Sequence, residues 1–194
     1  MGLRNTAETW GWPARLLHWT MAAIIVFMLA IGTYMTGVDD LMRRFALTQT
    51  HKSWGFLVFA LALGRIGWRL ANPVSPAEPD GPAWERRVAR GAHWALYGLM
   101  LWMPLSGWLM STASPLQDMY GVRNMVFGLF DMPDPFVPGD ADLEKAFRRM
   151  HNVGAAALAA LLLGHAAAAL RHHFVLRDDV LRRMTWGQGS QAGR

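Results

Sequence analysis

Seven histidines and no cysteine set the metal chemistry open to this 194-residue chain. Without thiolates there is no disulfide framework, thiolate zinc, iron–sulfur cluster, thiol nucleophile or C-x-x-C-H thioether attachment. Any metal must sit on His, Met, carboxylate or a non-covalent cofactor. Five of the histidines, His18, His51, His93, His151 and His165, lie within or at the ends of long apolar stretches. An ionisable side chain in such a stretch is costly to bury and tends to be functional. Taken singly, each also reads as a satisfied core histidine or an interface anchor; their joint placement changes that.

His151 and His165 are 14 residues apart, which on a helix is about 21 Å of rise and roughly 1400° of rotation, within about 40° of whole turns. They face one way at two depths. Counted from the ends of the stretches, His51 lies level with His151 and His18 level with His165. The chain thus offers one opposed pair per depth. Two facing imidazoles meet the axial requirement of six-coordinate heme iron, so two non-covalent heme b groups are expected. Zinc fits less well, because two histidines with no Cys, Asp or Glu at that depth leave a tetrahedral site half filled. Gly32, Gly55, Gly64, Gly67, Gly98, Gly107, Gly154 and Gly164 with the alanine runs 155–157 and 166–169 offer thin surfaces for a macrocycle. Small-residue helix packing explains many of them equally well.

The elements that must position these residues are helices. No charge interrupts Leu16 to Val38, Gly91 to Gln117 or His151 to Leu170, and each run reaches the roughly 20 residues that span a bilayer. His51 to Leu70 is as long as the last of these but carries Lys52, Arg65 and Arg69. Arg69 can snorkel, whereas Arg65 calls for a partner or a polar cavity. The expectation is an all-α integral membrane four-helix bundle over residues 8–184, with spans about 15–37, 51–70, 90–112 and 148–172 and a C-terminal tail 185–194. The first stretch is too long for a signal-peptide core, so it is expected to stay. The connections are a short loop near 37–50, a Pro-rich one through Asn72 to Pro82, and a long one from about Ser111 to Phe147. The last, rich in Pro and aromatics, reads as a cap at the membrane interface.

The net charge of +5 then becomes a statement about sidedness. Four spans place both termini and the middle loop on one side, with twelve of the 19 Lys and Arg and six of the 14 acids. The positive-inside rule puts that side in the cytoplasm. Charge so distributed argues against nucleic acid, which needs a basic stripe with exposed aromatics.

An internal echo runs through the chain. Arg15-Leu-Leu-His18-Trp19 precedes Gly32 as Arg90-Gly-Ala-His93-Trp94 precedes Gly107, and His51, Gly64, Arg65 match His151, Gly164, His165. Two related helical hairpins would explain it, as would chance likeness of apolar helices. If the echo holds, His93 and Arg65, with Arg69 near, sit at the inner end and suit a heme propionate or a quinone carbonyl. At the outer end Lys52, Arg148 and Arg149, with Arg43 and Arg44, can pair propionates, steer a small anion or simply be solvated. His172 and His173 read as interfacial, and the 13 Met as packing or lipid-facing residues.

With Arg15-Leu-Leu-His18-Trp19, His51-Lys-Ser-Trp-Gly55, Gly91-Ala-His93-Trp94-Ala-Leu-Tyr97, Pro104-Leu-Ser-Gly-Trp108, Val126-Phe-Gly-Leu-Phe-Asp-Met-Pro133 and Gly164-His165 through His173, the chain resembles the bacterial cytochrome b561 family. The resemblance implies a multi-pass bacterial inner-membrane protein with two b hemes on His18–His165 and His51–His151. It further implies electron exchange with ubiquinone and, in one branch, superoxide as donor, which would make the chain an oxidoreductase. A cytochrome b subunit relaying electrons between quinone and a partner dehydrogenase or hydrogenase is the alternative within redox chemistry, a partner subunit being otherwise unnecessary. A non-redox transporter or scaffold is the alternative outside it.

Overall fold

A computed structural model describes residues 2–76 and 82–185. The tail expected at 185–194 lies, beyond Thr185, outside the described residues, as do Ala77 to Gly81 of the Pro-rich connection.

Four long helices dominate: α1 (Trp12–Thr36), α2 (Leu41–Ala71), α3 (Ala83–Ala113) and α5 (Ala141–Arg171). Between the last two lie a short α4 (Leu116–Tyr120) and a two-stranded antiparallel hairpin, β1 (Met125–Val126) with β2 (Phe130–Asp131), in which Met125 faces Asp131. A π-helical turn (His172–Leu176) and α6 (Val180–Thr185) follow α5. α1 packs on α2, α2 on α3 and α3 on α5.

The helices start earlier than the apolar runs suggest, for local reasons. Residues Leu41 to Thr50, expected as loop, form the first turns of α2, because the Asp40 carboxylate caps it by accepting from the Arg43 amide at 2.8 Å. Asp140 does the same for α5, accepting from the amides of Asp142 and Leu143 at 3.0 and 2.9 Å, with Asp142 and Glu144 in the favourable first turn. α1, α2 and the stretch Ala141–Leu176 are long and apolar enough to cross a membrane. α3 matches α2 in length at 31 residues, but its Gly, Ser, Pro and charged N-terminal turns keep it below that apolarity.

The core is narrow and lies midway along the bundle: Met21 and Ile25 of α1, Val58 and Ala62 of α2, and Leu158 of α5. Leu158 is seven residues from both His151 and His165, so the packed layer separates the two histidine levels by about 10 Å on each side. Large apolar side chains elsewhere on the helices, such as Val26, Leu63, Val153 and Leu163, remain at least half exposed, as a lipid-facing surface requires.

Each end of the bundle is closed differently. At the termini end, Asn5 donates to the Val74 carbonyl at 3.1 Å and accepts from the Gly11 amide at 3.0 Å. There Arg15 and Trp19 of α1 donate to the Thr185 and Met184 carbonyls at 3.0 and 2.9 Å, and Arg171 pairs with Glu85 at 3.5 Å. At the other end the loop after α3 folds down as a cap around a buried polar network. Asp134 Oδ1 accepts from Thr112 at 3.0 Å, Asn124 at 2.9 Å and Gln117 at 3.1 Å, and Asn124 Oδ1 accepts from Ser111 at 2.6 Å and Lys52 at 3.2 Å. Thr112 is fully buried and Asn124 nearly so. Asp134→Ala would strand the buried donors of Thr112 and Asn124 at about 1–3 kcal/mol each. The expected outcome is a lower unfolding temperature in detergent and faster proteolysis within residues 114–139, with the rest of the chain protected.

Candidate functional site

The fold brings the histidines together in the two pairs that their spacing suggests. His18 of α1 and His165 of α5 face each other at the termini end with ring centroids 6.1 Å apart, and His51 of α2 and His151 of α5 do so at the cap end with centroids 6.3 Å apart. These separations test whether a planar metal group fits. An imidazole nitrogen about 2.0–2.1 Å from a metal, with the ring centre about 1.1 Å further back, puts two axial rings about 6.3 Å apart. Both pairs meet that span. Among the described residues no group of three or more His, Cys, Asp or Glu is disposed to hold a metal ion, so a cofactor bringing its own in-plane ligands fits the pairs and a tetrahedral zinc site does not.

At the cap end the surroundings also set the tautomer. Ser106 of α3, fully buried, donates its hydroxyl proton to the Met103 carbonyl at 3.0 Å, so its oxygen accepts from His151 Nδ1 at 3.0 Å. That partner favours the proton on Nδ1, which would leave the Nε2 lone pair for a metal, the arrangement expected around a ligating histidine. His51 Nδ1 is buried without a hydrogen-bond partner. The rings are wedged by glycines on the neighbouring helices: a Cβ at Gly32 would lie 3.0 Å from His51 Cε1, and one at Gly107 3.2 Å from His151 Cε1. The helix approach behind them is equally tight, since a Cβ at Gly154 would meet Met103 Sδ at 2.8 Å.

The termini end carries charge. Arg65 Nη2 lies 3.1 Å from His18 Nδ1 and Arg65 Nε donates to the Tyr97 hydroxyl at 3.3 Å. The guanidinium carbons of Arg65 and Arg69 stand 5.8 and 5.9 Å from the Tyr97 ring centre. His93 is brought to the same place, its ring 5.4 Å from that of His165. His172 lies beyond, in the π-helical turn, 2.5 Å from Asp178, and His173 stacks edge-on against Phe174.

The cap-end cations are not equivalent. Lys52 is turned inward, donating to Ser111 Oγ, Asn124 Oδ1 and the Arg123 carbonyl at 3.2–3.3 Å. Arg148 pairs with Glu144 one turn before it, and Arg43 donates to the Tyr34 hydroxyl at 2.8 Å. Arg44 and Arg149 are exposed. Beside His51, a cleft of about 590 Å³ opens between the first turns of α2 and the cap, lined by Gln49, Thr50, Trp54, Tyr120, Arg123 and Phe127 among others.

Sequence reasoning gave Ser106, Tyr97, Asn124 and Asp134 no role. For Ser106, a small polar residue three positions after Met103 and one before a glycine, the available signals were its place beside Gly107 of the internal echo and within the motif Pro104-Leu-Ser-Gly-Trp108.

The sequence matches known proteins over nearly its whole length. A sequence profile described as prokaryotic cytochrome b561 matches residues 9–187. "Cytochrome b561 homolog 2" of Escherichia coli (strain K12) is 32% identical over 196 residues, covering 100% of both chains. "Cytochrome b561 homolog 1" of the same organism is 27% identical, over 87% of this chain and 92% of its own. "Probable superoxide oxidase CybB" of Yersinia pestis is 26% identical, over 87% of this chain and 90% of its own. With the family profile covering nearly the whole of a helical chain whose histidines face each other in two level pairs, the chain belongs to the prokaryotic cytochrome b561 family.

Proposed function

We propose that the chain is a membrane di-heme b cytochrome that carries electrons from a small one-electron donor, superoxide, to ubiquinone, with both termini in the cytoplasm. The single observation that carries this reading is the pair of facing imidazoles at each of two levels. The name of the Yersinia pestis relative supports the donor, and the basic excess at the termini end supports the orientation.

Heme b, when bound, supplies a one-electron site at each level, and two sites divide a transfer across the bilayer into shorter hops. The chain's own residues do the rest. His51 and His151 hold the cap-end site, with Ser106 fixing the proton of His151 at Nδ1. His18 and His165 hold the termini-end site, while Arg65, Arg69 and His93 present donors suited to a propionate or a quinone carbonyl. The apolar layer around Leu158 excludes water between the levels. Two superoxide anions give up one electron each as two dioxygen molecules, and one quinone takes both electrons with two protons to become quinol. At the cap end Arg44 and Arg149, exposed, and Arg123, which lines the cleft beside His51, are placed to draw an anion inward. Lys52 and Arg148 hold the surface on which they act.

His165→Ala is expected to remove the termini-end heme and leave the cap-end one, and His151→Ala to do the reverse, read as loss of one component of the reduced-minus-oxidised spectrum. Equal loss of both from either variant, in protein that still folds, contradicts the pairing. In stopped-flow mixing, superoxide should reduce the hemes and a ubiquinone analogue reoxidise them. The reduction rate should fall severalfold between low and physiological ionic strength as the steering field is screened; a rate indifferent to salt removes the steering role.

A further inference from the structure

The internal echo is realised in space. Gly32 of α1 abuts His51 of α2 as Gly107 of α3 abuts His151 of α5. Arg65, fourteen residues on from His51 as His165 is from His151, touches His18 as His165 touches His93. The contacts inside the two hairpins therefore correspond, α1 to α3 and α2 to α5. His51 and His151 exchange under that correspondence, so the cap-end pair is its own counterpart. The termini-end pair is not: the counterpart of His18–His165 is His93–Arg65. One residue type, arginine where the echo has histidine, breaks the symmetry at that end.

The break is electrostatic. A guanidinium keeps its charge throughout the physiological range and only donates hydrogen bonds. Arg65 is fixed from three helices: its stem is on α2, its Nε donates to Tyr97 of α3 at 3.3 Å, and its Nη2 lies 3.1 Å from His18 of α1. Among the described residues no carboxylate pairs with Arg65 or Arg69. Among the described residues the cap-end rings have no such neighbour: His151 is held by the neutral hydroxyl of Ser106, His51 packs on Gly32, and the nearby ammonium of Lys52 is engaged by the network that contains Asp134. A neutral imidazole that ligates iron through Nε2 carries its proton on Nδ1, which would turn Arg65 off that atom. The 3.3 Å bond to the Tyr97 hydroxyl would still hold the charge at that level of the bundle.

Resting on the di-heme reading above, we propose that Arg65, held by Tyr97, polarises the protein: its fixed charge beside His18 makes the termini-end heme easier to reduce than the cap-end heme, so that electrons run from the cap toward the termini. A positive charge next to a site that gains an electron favours the reduced form, and more so in a poorly screened interior. The asymmetry therefore sets a direction along the bundle.

The test is a spectroelectrochemical titration of purified holoprotein, carried out in His151→Ala to isolate the termini-end heme and in His165→Ala to isolate the cap-end heme. Arg65→Met should shift the reduction equilibrium of the termini-end heme at least tenfold toward the oxidised form, about 59 mV lower for one electron. The cap-end heme should not move, and Arg65→Lys should restore most of the difference. Tyr97→Phe, which keeps the charge but frees the guanidinium, should shift the same heme in the same direction by less, and serves if Arg65→Met does not assemble. An unmoved or raised termini-end potential, or equal shifts in both hemes, overturns the role of Arg65. Wild-type protein without any b-type heme overturns instead the reading on which that role rests.

Discussion

Fourteen residues of α-helix come close to a whole number of turns, and in α5 that near-integer places His151 and His165 on one face at two depths. Everything else in the bundle serves to bring a second imidazole to each. α1 and α2 run side by side so that His18 meets His165 and His51 meets His151 at centroid separations of 6.1 and 6.3 Å. The core that fixes these distances is thin, a single layer around Met21, Val58, Ala62 and Leu158. In the proposed reading a large planar group at each end supplies the packing that the side chains do not. Glycines next to the cap-end rings make the same point locally, because Gly32 and Gly107 leave the imidazoles just enough space.

Much of the site was legible because histidine is rare in apolar helices and its positions follow the helical period. The levels of His18, His51, His151 and His165 come from counting alone, and the echo between the hairpins set Arg65 at the level of His18 and His93, whereas the glycines Gly32 and Gly107, expected as surfaces for a macrocycle, lie against His51 and His151. Other parts left no trace in the pattern. Ser106 is one small hydroxyl in a helix with several, and only the fold shows that it meets His151. Tyr97 is only the last residue of a quoted motif until Arg65 and Arg69 are seen against it. Lys52 looks like a surface cation because its partners, Ser111, Arg123 and Asn124, lie 59 to 72 residues away. The first turns of α2 read as loop because Arg43, Arg44 and Gln49 make them polar, although Asp40 was a visible cap. The π-helical turn at His172–Leu176 has no periodic signature at all.

The two ends of the molecule solve opposite problems. At the termini end arginines and histidines converge without a described carboxylate to neutralise Arg65 or Arg69, which suits a site that gains negative charge. At the cap end the carboxylate of Asp134 is surrounded by donors from Thr112, Gln117 and Asn124, and Lys52 enters the same network. That end is locally balanced, and its charge reaches solvent through exposed arginines rather than through the groups nearest the rings.

The central claim is that each facing pair of imidazoles holds one heme b. Pyridine hemochromogen quantification on the purified wild-type protein, with near-infrared magnetic circular dichroism on the same sample to read the axial ligands, tests it most directly. The account predicts two heme b per chain, both low-spin with two imidazole ligands. One heme or none, or a heme with a vacant or methionine-filled axial position, would contradict it.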